Sequence, residues 1–248
     1  MRDLLADFDD VSLDAMDERA ALLRRVDNKY VIPEDRFADL LRCLRSDHEV
    51  LEIESRRVFR YSTIYFDTPD LRCFLDHIED RVPRFKARTR FYEDTGECVF
   101  EVKLKRSEDE TDKRQIKYAP DDRRRLTDEG SECVRSALGG AGLPASQELS
   151  PSLTTSFERV TLAASSGSER LTCDFGVQLT GPDGETAAMR SGLVLIETKS
   201  EAGDSPADRQ LARMQLEPIS LSKYRVGMST VGGADRYGAQ PGSDLFER

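Results

Sequence analysis

The chain has only two histidines, His48 and His77, among its 248 residues. Its five cysteines, Cys43, Cys73, Cys98, Cys133 and Cys173, are odd in number and scattered, with no CxxC pair. That spacing speaks against a disulfide framework and against a zinc knuckle, and it fits a reducing cytoplasm. No stretch approaches the roughly 18 consecutive apolar residues of a membrane helix. The opening MRDLLADFDD is acidic and has no basic segment leading into an apolar run, so a soluble, unexported, cytoplasmic protein is expected. Positive charge is not in excess either: 37 Lys and Arg stand against 47 Asp and Glu, a net charge of −10. The surface as a whole cannot attract nucleic acid, and any anion site must be local. With no Pro/Gly/Ser-rich linker, one domain over residues 1–231 is expected, and the Gly-rich polar stretch 232–248 reads as a disordered tail.

Several catalytic signatures are also missing. There is no GxxxxGK[ST], GxGxxG or HExxH, so neither a phosphate-cradling glycine loop nor a helical zinc-hydrolase site is indicated. His48 lies beside acidic residues in an expected loop and His77 on an expected helix; both read as surface residues, and no Ser-His-Asp context supports a base.

What is present is charge in alternation. From Arg84 to Arg106 the chain reads RFKARTRFYEDTGECVFEVKLKR, a β-hairpin with its turn near Gly96. Side chains alternate across a strand, so Lys86, Arg88 and Arg90 share one face, opposite Phe85, Ala87, Thr89 and Phe91. On the return strand Glu101, Lys103 and Lys105 oppose Phe100, Val102 and Leu104. Five cations and one carboxylate on one surface are tolerable in water; enclosed, they need a polyanion.

The same pattern recurs along the chain. SLDAMDERAALL (12–23) is expected as a helix capped by Ser12, with Leu13, Met16, Ala20 and Leu23 inward. RVDNKYVI puts Arg25, Asp27 and Lys29 on one strand face and Val26, Tyr30 and Ile32 on the other, Asn28 being the exception. Pro33 opens a helix through Ser46 with Phe37, Leu40, Leu41 and Leu44 on one stripe. VFRYSTIYF is a strand, and Thr68 and Pro69 fit the start of a helix burying Leu71, Phe74, Leu75 and Ile78. Residues 107–142 are weakly periodic, with RQIKY as a strand and ECVRSAL as a short helix. Later strands are TTSFERVTL with Arg159, RLTCDFGVQL with Arg170 and Asp174, and LVLIETKS with Glu197 and Lys199. A helix starts at Ser205–Pro206, and SLSKYRVGM follows as a helical turn. Strands with one charged face, plus amphipathic helices needing apolar partners, imply an α+β fold: a closed antiparallel β-barrel with a charged lumen and helices outside. Arg, Lys and Glu spread over many strands suit phosphoryl chemistry, which mainly positions a polyanion and neutralises its oxygens.

In order, RVDNKYVI, YSTIYFDTPD, KARTRFY, FEVKLK, TTSFERV, RLTCDF, VLIETKS and SLSKYRVGM resemble the polyphosphate polymerase (VTC) domain of the CYTH-type triphosphate tunnel metalloenzymes, over about residues 12 to 230. The resemblance implies phosphate contacts from Lys29, Arg88, Arg90, Lys103, Arg159, Arg170 and Lys223, with a further hydrogen bond from Ser222. It implies that Glu197 holds a divalent metal, Mn²⁺ or Mg²⁺, and that Glu101 and Asp27 line the same tunnel and help with metal or lysine. Asp27 and the preceding Arg25 depart from the superfamily's alternating glutamates, which puts a second metal in doubt. Surface or ion-pairing roles are expected for Lys86, Lys105 and Lys199. Three functions stay open: ATP-driven polyphosphate synthesis, hydrolysis of triphosphate or a nucleotide, and a non-catalytic polyphosphate-binding module.

Overall fold

The computed structural model describes residues 2–19, 26–107, 110–144 and 148–248. Its first elements are α1 (Arg2–Ala6), β1 (Asp10–Val11), α2 (Leu13–Arg19), β2 (Val26–Pro33), α3 (Glu34–Leu44), β3 (His48–Leu51) and β4 (Phe59–Asp67). Next come α4 (Arg72–Ile78), β5 (Arg84–Tyr92), β6 (Glu97–Lys105), β7 (Thr111–Lys117) and α5 (Asp128–Leu138). The rest is β8 (Ser150–Ala164), β9 (Arg170–Thr180), β10 (Thr186–Met189), β11 (Leu193–Ser200), α6 (Pro206–Arg213), α7 (Lys223–Thr230) and β12 (Phe246–Glu247). Two compact units result. The first comprises Met1–Phe59, Phe157–Val177 and Met189–Ser220; the second, Arg60–Ser156, Gln178–Ala188 and Leu221–Arg248.

In the first unit β11 lies between β2 and β9, antiparallel to both, β3 runs antiparallel to the end of β8, and β1 is parallel to β3. Helix α3 buries Phe37, Leu40, Leu41 and Leu44, as its stripe predicts, and Phe37 meets Phe175 edge-on at 5.3 Å. Pro33 is its N-cap, so the helix begins at Glu34, one residue later than expected, and it ends at Leu44, short of Ser46. Strand β2 buries Tyr30 and Ile32, but Val26, expected on the same face, is exposed at the strand's first residue. The Asn28 exception has a physical cause: its amide donates to Asp208 Oδ1 (3.1 Å) and to the Gly203 carbonyl (2.9 Å). In α2 Met16 is buried and Leu13 exposed, reversing the expected role of Leu13. Ala20, Leu23 and Arg25 lie outside the described residues.

Asp208 is the knot of this unit. It closes a capping box with Ser205 at the start of α6, and its Oδ1 also accepts from Tyr30 (2.8 Å) and Thr198 (2.6 Å). Burial pushes the carboxyl up, but the bonds from Ser205, Thr198 and Asn28 outweigh it and hold the group below its ordinary value. His48, expected on the surface, is buried on β3, a strand the sequence reading missed. Its Nε2 lies 3.4 Å from Glu169 Oε2, and Glu169 Oε1 accepts from the Ala207 amide at 3.2 Å.

The second unit contains the hairpin. Strands β4, β5, β6 and β7 form an antiparallel meander, with β8 beside β4 and β10 on the end of β9. The apolar faces of β5 and β6 bury Phe85, Ala87, Phe100, Val102 and Leu104, as the alternation requires. Phe100 packs between Phe66 (5.9 Å, edge-on) and Tyr118 (5.4 Å, stacked). The turn ends on Gly96 at φ 73°, a conformation that costs glycine little. Helix α4 starts at Arg72, later than Thr68 suggests, because Leu71 takes a left-handed φ of 58°. Thr68 then accepts from the Arg72 amide (2.8 Å), while Asp67 accepts from those of Cys73 (2.8 Å) and Phe74 (3.0 Å). The weakly read region supplies β7 and α5, the latter capped by Thr127. Residues 232–248, read from composition as a disordered tail, hold two 3₁₀ turns and β12, with Ala234 and Phe246 buried.

The fold is therefore α+β with antiparallel sheet. Among the described residues the strand paths run β2–β11–β9–β8–β3–β1 and β12–β10–β9–β8–β4–β5–β6–β7, and neither returns to its start. The closed barrel expected from sequence is thus not closed by hydrogen bonds.

Asp208→Ala removes the acceptor for three elements at once and should cost about 3 kcal/mol in urea unfolding at pH 7. Because the folded carboxyl titrates below its unfolded value, this contribution is present above that value and fades as pH falls through the folded one. A loss at pH 7 below about 0.5 kcal/mol would contradict the role.

Candidate functional site

Each unit carries its own cluster of strand-borne cations and carboxylates. In the second unit the registers align them in rows. Arg88 lies opposite Glu101, and Lys86 opposite Lys103, which in turn faces Lys113 on β7. Glu101 is buried; it pairs with Arg88 and with Lys113 Nζ (3.0 Å). Burial raises its carboxyl, yet Arg88, Arg90 and Lys113 outweigh burial and bring it down to about 2. For the Arg88 guanidinium burial opposes the charge, and Glu101 more than offsets it. Arg88 and Arg90 stand over the rings of Tyr65 and Tyr61, each at 5.9 Å, which supports both cations without neutralising them.

Helix α7 brings the SLSKYRVGM residues to this unit. The Ser222 hydroxyl caps the helix by accepting from the Arg225 amide (3.4 Å), and Lys223 is its first residue. Tyr224 is buried, stacks on Tyr65 at 4.8 Å, and donates to Asp67 Oδ2. A Cβ on Gly227 would come within 2.3 Å of Leu153 Cδ2, so glycine is what lets α7 lie against β8. Arg88, Arg90, Glu101, Lys103, Ser222 and Lys223 are thus all elements of one unit.

The first unit gathers the rest. Lys29 on β2 lies opposite Glu197 on β11, and Asp27 opposite Lys199. Lys199 Nζ is 3.0 Å from Glu197 Oε1. Burial would raise Glu197, but Lys199, Lys29 and Arg159 hold it well below the carboxylate range. Arg159 forks onto Asp174 through Nε (2.6 Å) and Nη2 (2.8 Å). Arg170 lies across from Lys199, yet its Nη2 turns to Asp17 of α2 (2.7 Å) and the Met16 carbonyl (3.4 Å). Its guanidinium is thus held by α2, which no sequence period shows.

Among the described residues no three His, Cys, Asp or Glu side chains converge on a metal position. Glu197 is ionised and only partly buried, so the donor set fits an ion that takes one carboxylate and completes its shell with phosphate oxygens and water.

The fold is antiparallel sheet with covering helices, and cations and ionised carboxylates gather on its strand faces. The VTC domain family model matches residues 24–231, and the chain belongs to that family. Among solved structures, an adenylate cyclase candidate from Bacillus halodurans is similar at 15% identity and a TM-score of 0.50, covering 80% of this chain and 94% of that one. An adenylyl cyclase candidate from Hippeastrum, described as having a dominant triphosphatase activity, is 16% identical with a TM-score of 0.48, covering 84% and 97%. One from Vibrio parahaemolyticus is 17% identical with a TM-score of 0.47, covering 84% and 98%. No curated protein matches the chain.

Lys113, Asp174 and Tyr65 were not expected as site residues. Lys113 sits in the weakly periodic region, and Tyr65 is legible only as a strand aromatic. Asp174 shares a strand face with Arg170 in the sequence but pairs instead with Arg159 on the neighbouring strand. Glu101→Ala should destabilise the protein by about 3 kcal/mol at pH 7, because it strands the Arg88 charge. Glu101 titrates at about 2, below its ordinary 4.5, so the penalty is full above 4.5 and shrinks as pH falls toward 2. Urea unfolding of both proteins at pH 7 and pH 3 checks this; a penalty that does not shrink in acid would contradict it.

Proposed function

We propose that this protein transfers phosphoryl groups on a polyanionic phosphate substrate, most specifically the γ-phosphoryl of ATP onto a growing polyphosphate chain. The observation that carries the reading is the alternation itself. Cations occupy one face of strand after strand in cross-strand rows, a surface that gains free energy when a multivalent anion bridges it. Membership of the VTC family and the resemblance of eight ordered motifs to polyphosphate polymerases support it.

In this reading Arg88 and Arg90, already supported on Tyr65 and Tyr61, grip phosphoryl oxygens through their forked donors. Lys103, Lys223 and the Ser222 hydroxyl add contacts from β6 and α7. In the first unit's own cluster, Lys29, Arg159 and Arg170 are the cations to which the family resemblance assigns phosphate contacts, Arg170 after leaving Asp17. Glu197 would hold a Mn²⁺ or Mg²⁺ ion, which when bound supplies charge neutralisation for the phosphoryl oxygens, while Glu101 stays paired with Arg88 and Lys113 in its own unit. Little covalent chemistry falls to the protein; its residues position the chain and offset its charge.

Incubation with ATP and Mn²⁺ or Mg²⁺, followed by sizing of the products on a gel, tests the reading. Chains longer than triphosphate are expected. Orthophosphate alone would replace synthesis by hydrolysis, and no turnover with either metal would reduce the protein to a binding module. Glu197→Gln should fold and lose metal-dependent turnover by at least about a hundredfold. Arg90→Lys keeps the charge but loses the fork and should slow turnover about tenfold. Near-native rates in both variants would remove these residues from the site.

A further inference from the structure

Asp67 ends β4 and is buried, and its carboxylate joins three segments of the second unit. Oδ1 accepts from the amides of Thr68 (2.8 Å) and Cys73 (2.8 Å). Oδ2 accepts from the Phe74 amide (3.0 Å) and from the hydroxyl of Tyr224 on α7. Burial raises the Asp67 carboxyl, and the bond from Tyr224 is the strongest of those that oppose the rise. Burial, followed by the Asp67 charge, pushes the Tyr224 phenol well up, so it stays an O–H donor.

The Tyr224 ring stacks on Tyr65 at 4.8 Å and meets Phe74 of α4 edge-on at 6.4 Å. A phenylalanine ring would keep both contacts. Apolar contact is non-directional, whereas a hydrogen bond between phenol and carboxylate restricts distance and angle together. Exchanging a buried polar pair for apolar groups of the same shape is often nearly neutral, so such a pair adds direction more than stability. The segment so directed is the first turn of α7, with Ser222 as N-cap and Lys223 as first residue. Consecutive helical residues lie about 3.8 Å apart at Cα and about 100° apart around the axis. Fixing Tyr224 therefore sets the direction in which Lys223 leaves the helix. The close approach of Gly227 to Leu153 sets how near α7 comes to β8, but not its rotation about that contact.

We propose that Asp67 and Tyr224 are a positioning pair for Lys223: the bond between them fixes the first turn of α7 and so aims the Lys223 ammonium at the phosphate chain. This deepens the phosphoryl-transfer reading and rests on it, since that reading makes Lys223 a phosphate contact. Neither member of the pair touches substrate; both act through the helix. Without the hydroxyl the ring stays packed, but the turn that carries Lys223 is set by non-directional contacts alone.

The test is calorimetric titration of the full chain with sodium tripolyphosphate, well below the melting temperature of each variant. Lys223→Ala should weaken binding about tenfold, the size of one charge-assisted contact. Tyr224→Phe, which removes one oxygen and keeps the ring, should weaken it about fivefold, and the double variant should bind no worse than Lys223→Ala alone. A merely structural hydroxyl would lower the melting temperature and leave binding by the folded protein unchanged. Asp67→Asn, of the same volume, gives a second cycle with Lys223→Ala should Tyr224→Phe not fold, and the same lack of additivity is expected. Wild-type binding by Tyr224→Phe, additive losses in the double variant, no effect of Lys223→Ala, or failure of both single variants to fold would each overturn the positioning role. Absence of tripolyphosphate binding by the wild-type chain would instead remove the phosphoryl-transfer reading, and the positioning pair with it.

Discussion

Cross-strand repulsion between cations is the constraint on which the rest of this protein turns. Two unit charges about 5 Å apart at an effective dielectric near 20 oppose each other by roughly 3 kcal/mol, a large fraction of a domain's stability. Lys86, Lys103 and Lys113 are register partners across β5, β6 and β7. The chain meets the cost with placed carboxylates: Glu101 offsets Arg88 and Lys113, Glu197 offsets Lys199 and Lys29, and Asp174 offsets Arg159. Each carboxylate is itself only affordable because the cations hold it ionised.

The two clusters solve the same problem by different local means. In the second unit aromatic rings back the cations: Tyr65 under Arg88, Tyr61 under Arg90, Tyr224 under Lys86. A ring supports a cation and excludes water without removing its charge. In the first unit direct ion pairs dominate, and the Arg159–Asp174 fork fixes the guanidinium plane before any ligand arrives. Arg170 differs again, since its partner Asp17 is an exposed residue of α2 and a surface pair is worth little.

Much of this was legible in the sequence because strand alternation is a strict period. The hairpin from Arg84 to Lys105 and the buried stripe of α3 both follow from which residues share a face. What escaped was set by long-range or backbone chemistry that leaves no period. The start of α4 moved because Leu71 adopts a left-handed conformation and Asp67 reaches forward to cap the helix. Asn28 looked like an error on an apolar face until Asp208, 180 residues away, supplied its partner. His48 and His77 were read as surface groups because a lone histidine carries no pattern; burial of His48 against Glu169 and the contact of His77 with Lys86 decided otherwise. In the charged clusters, Glu101 and Glu197 were named from the sequence beside the cations, whereas Lys113 and the aromatic partners Tyr61, Tyr65 and Tyr224 were not.

If the cationic rows are the binding surface, a multivalent phosphate must relieve their repulsion, and stability must register it. Thermal melting with sodium tripolyphosphate, beside sodium sulfate at matched ionic strength, measures this most directly. The account predicts a clear upward shift with tripolyphosphate, equivalent to about 2.7 kcal/mol at a hundredfold excess over the dissociation constant, and little change with sulfate. Equal shifts with the two salts, or none with either, would contradict it.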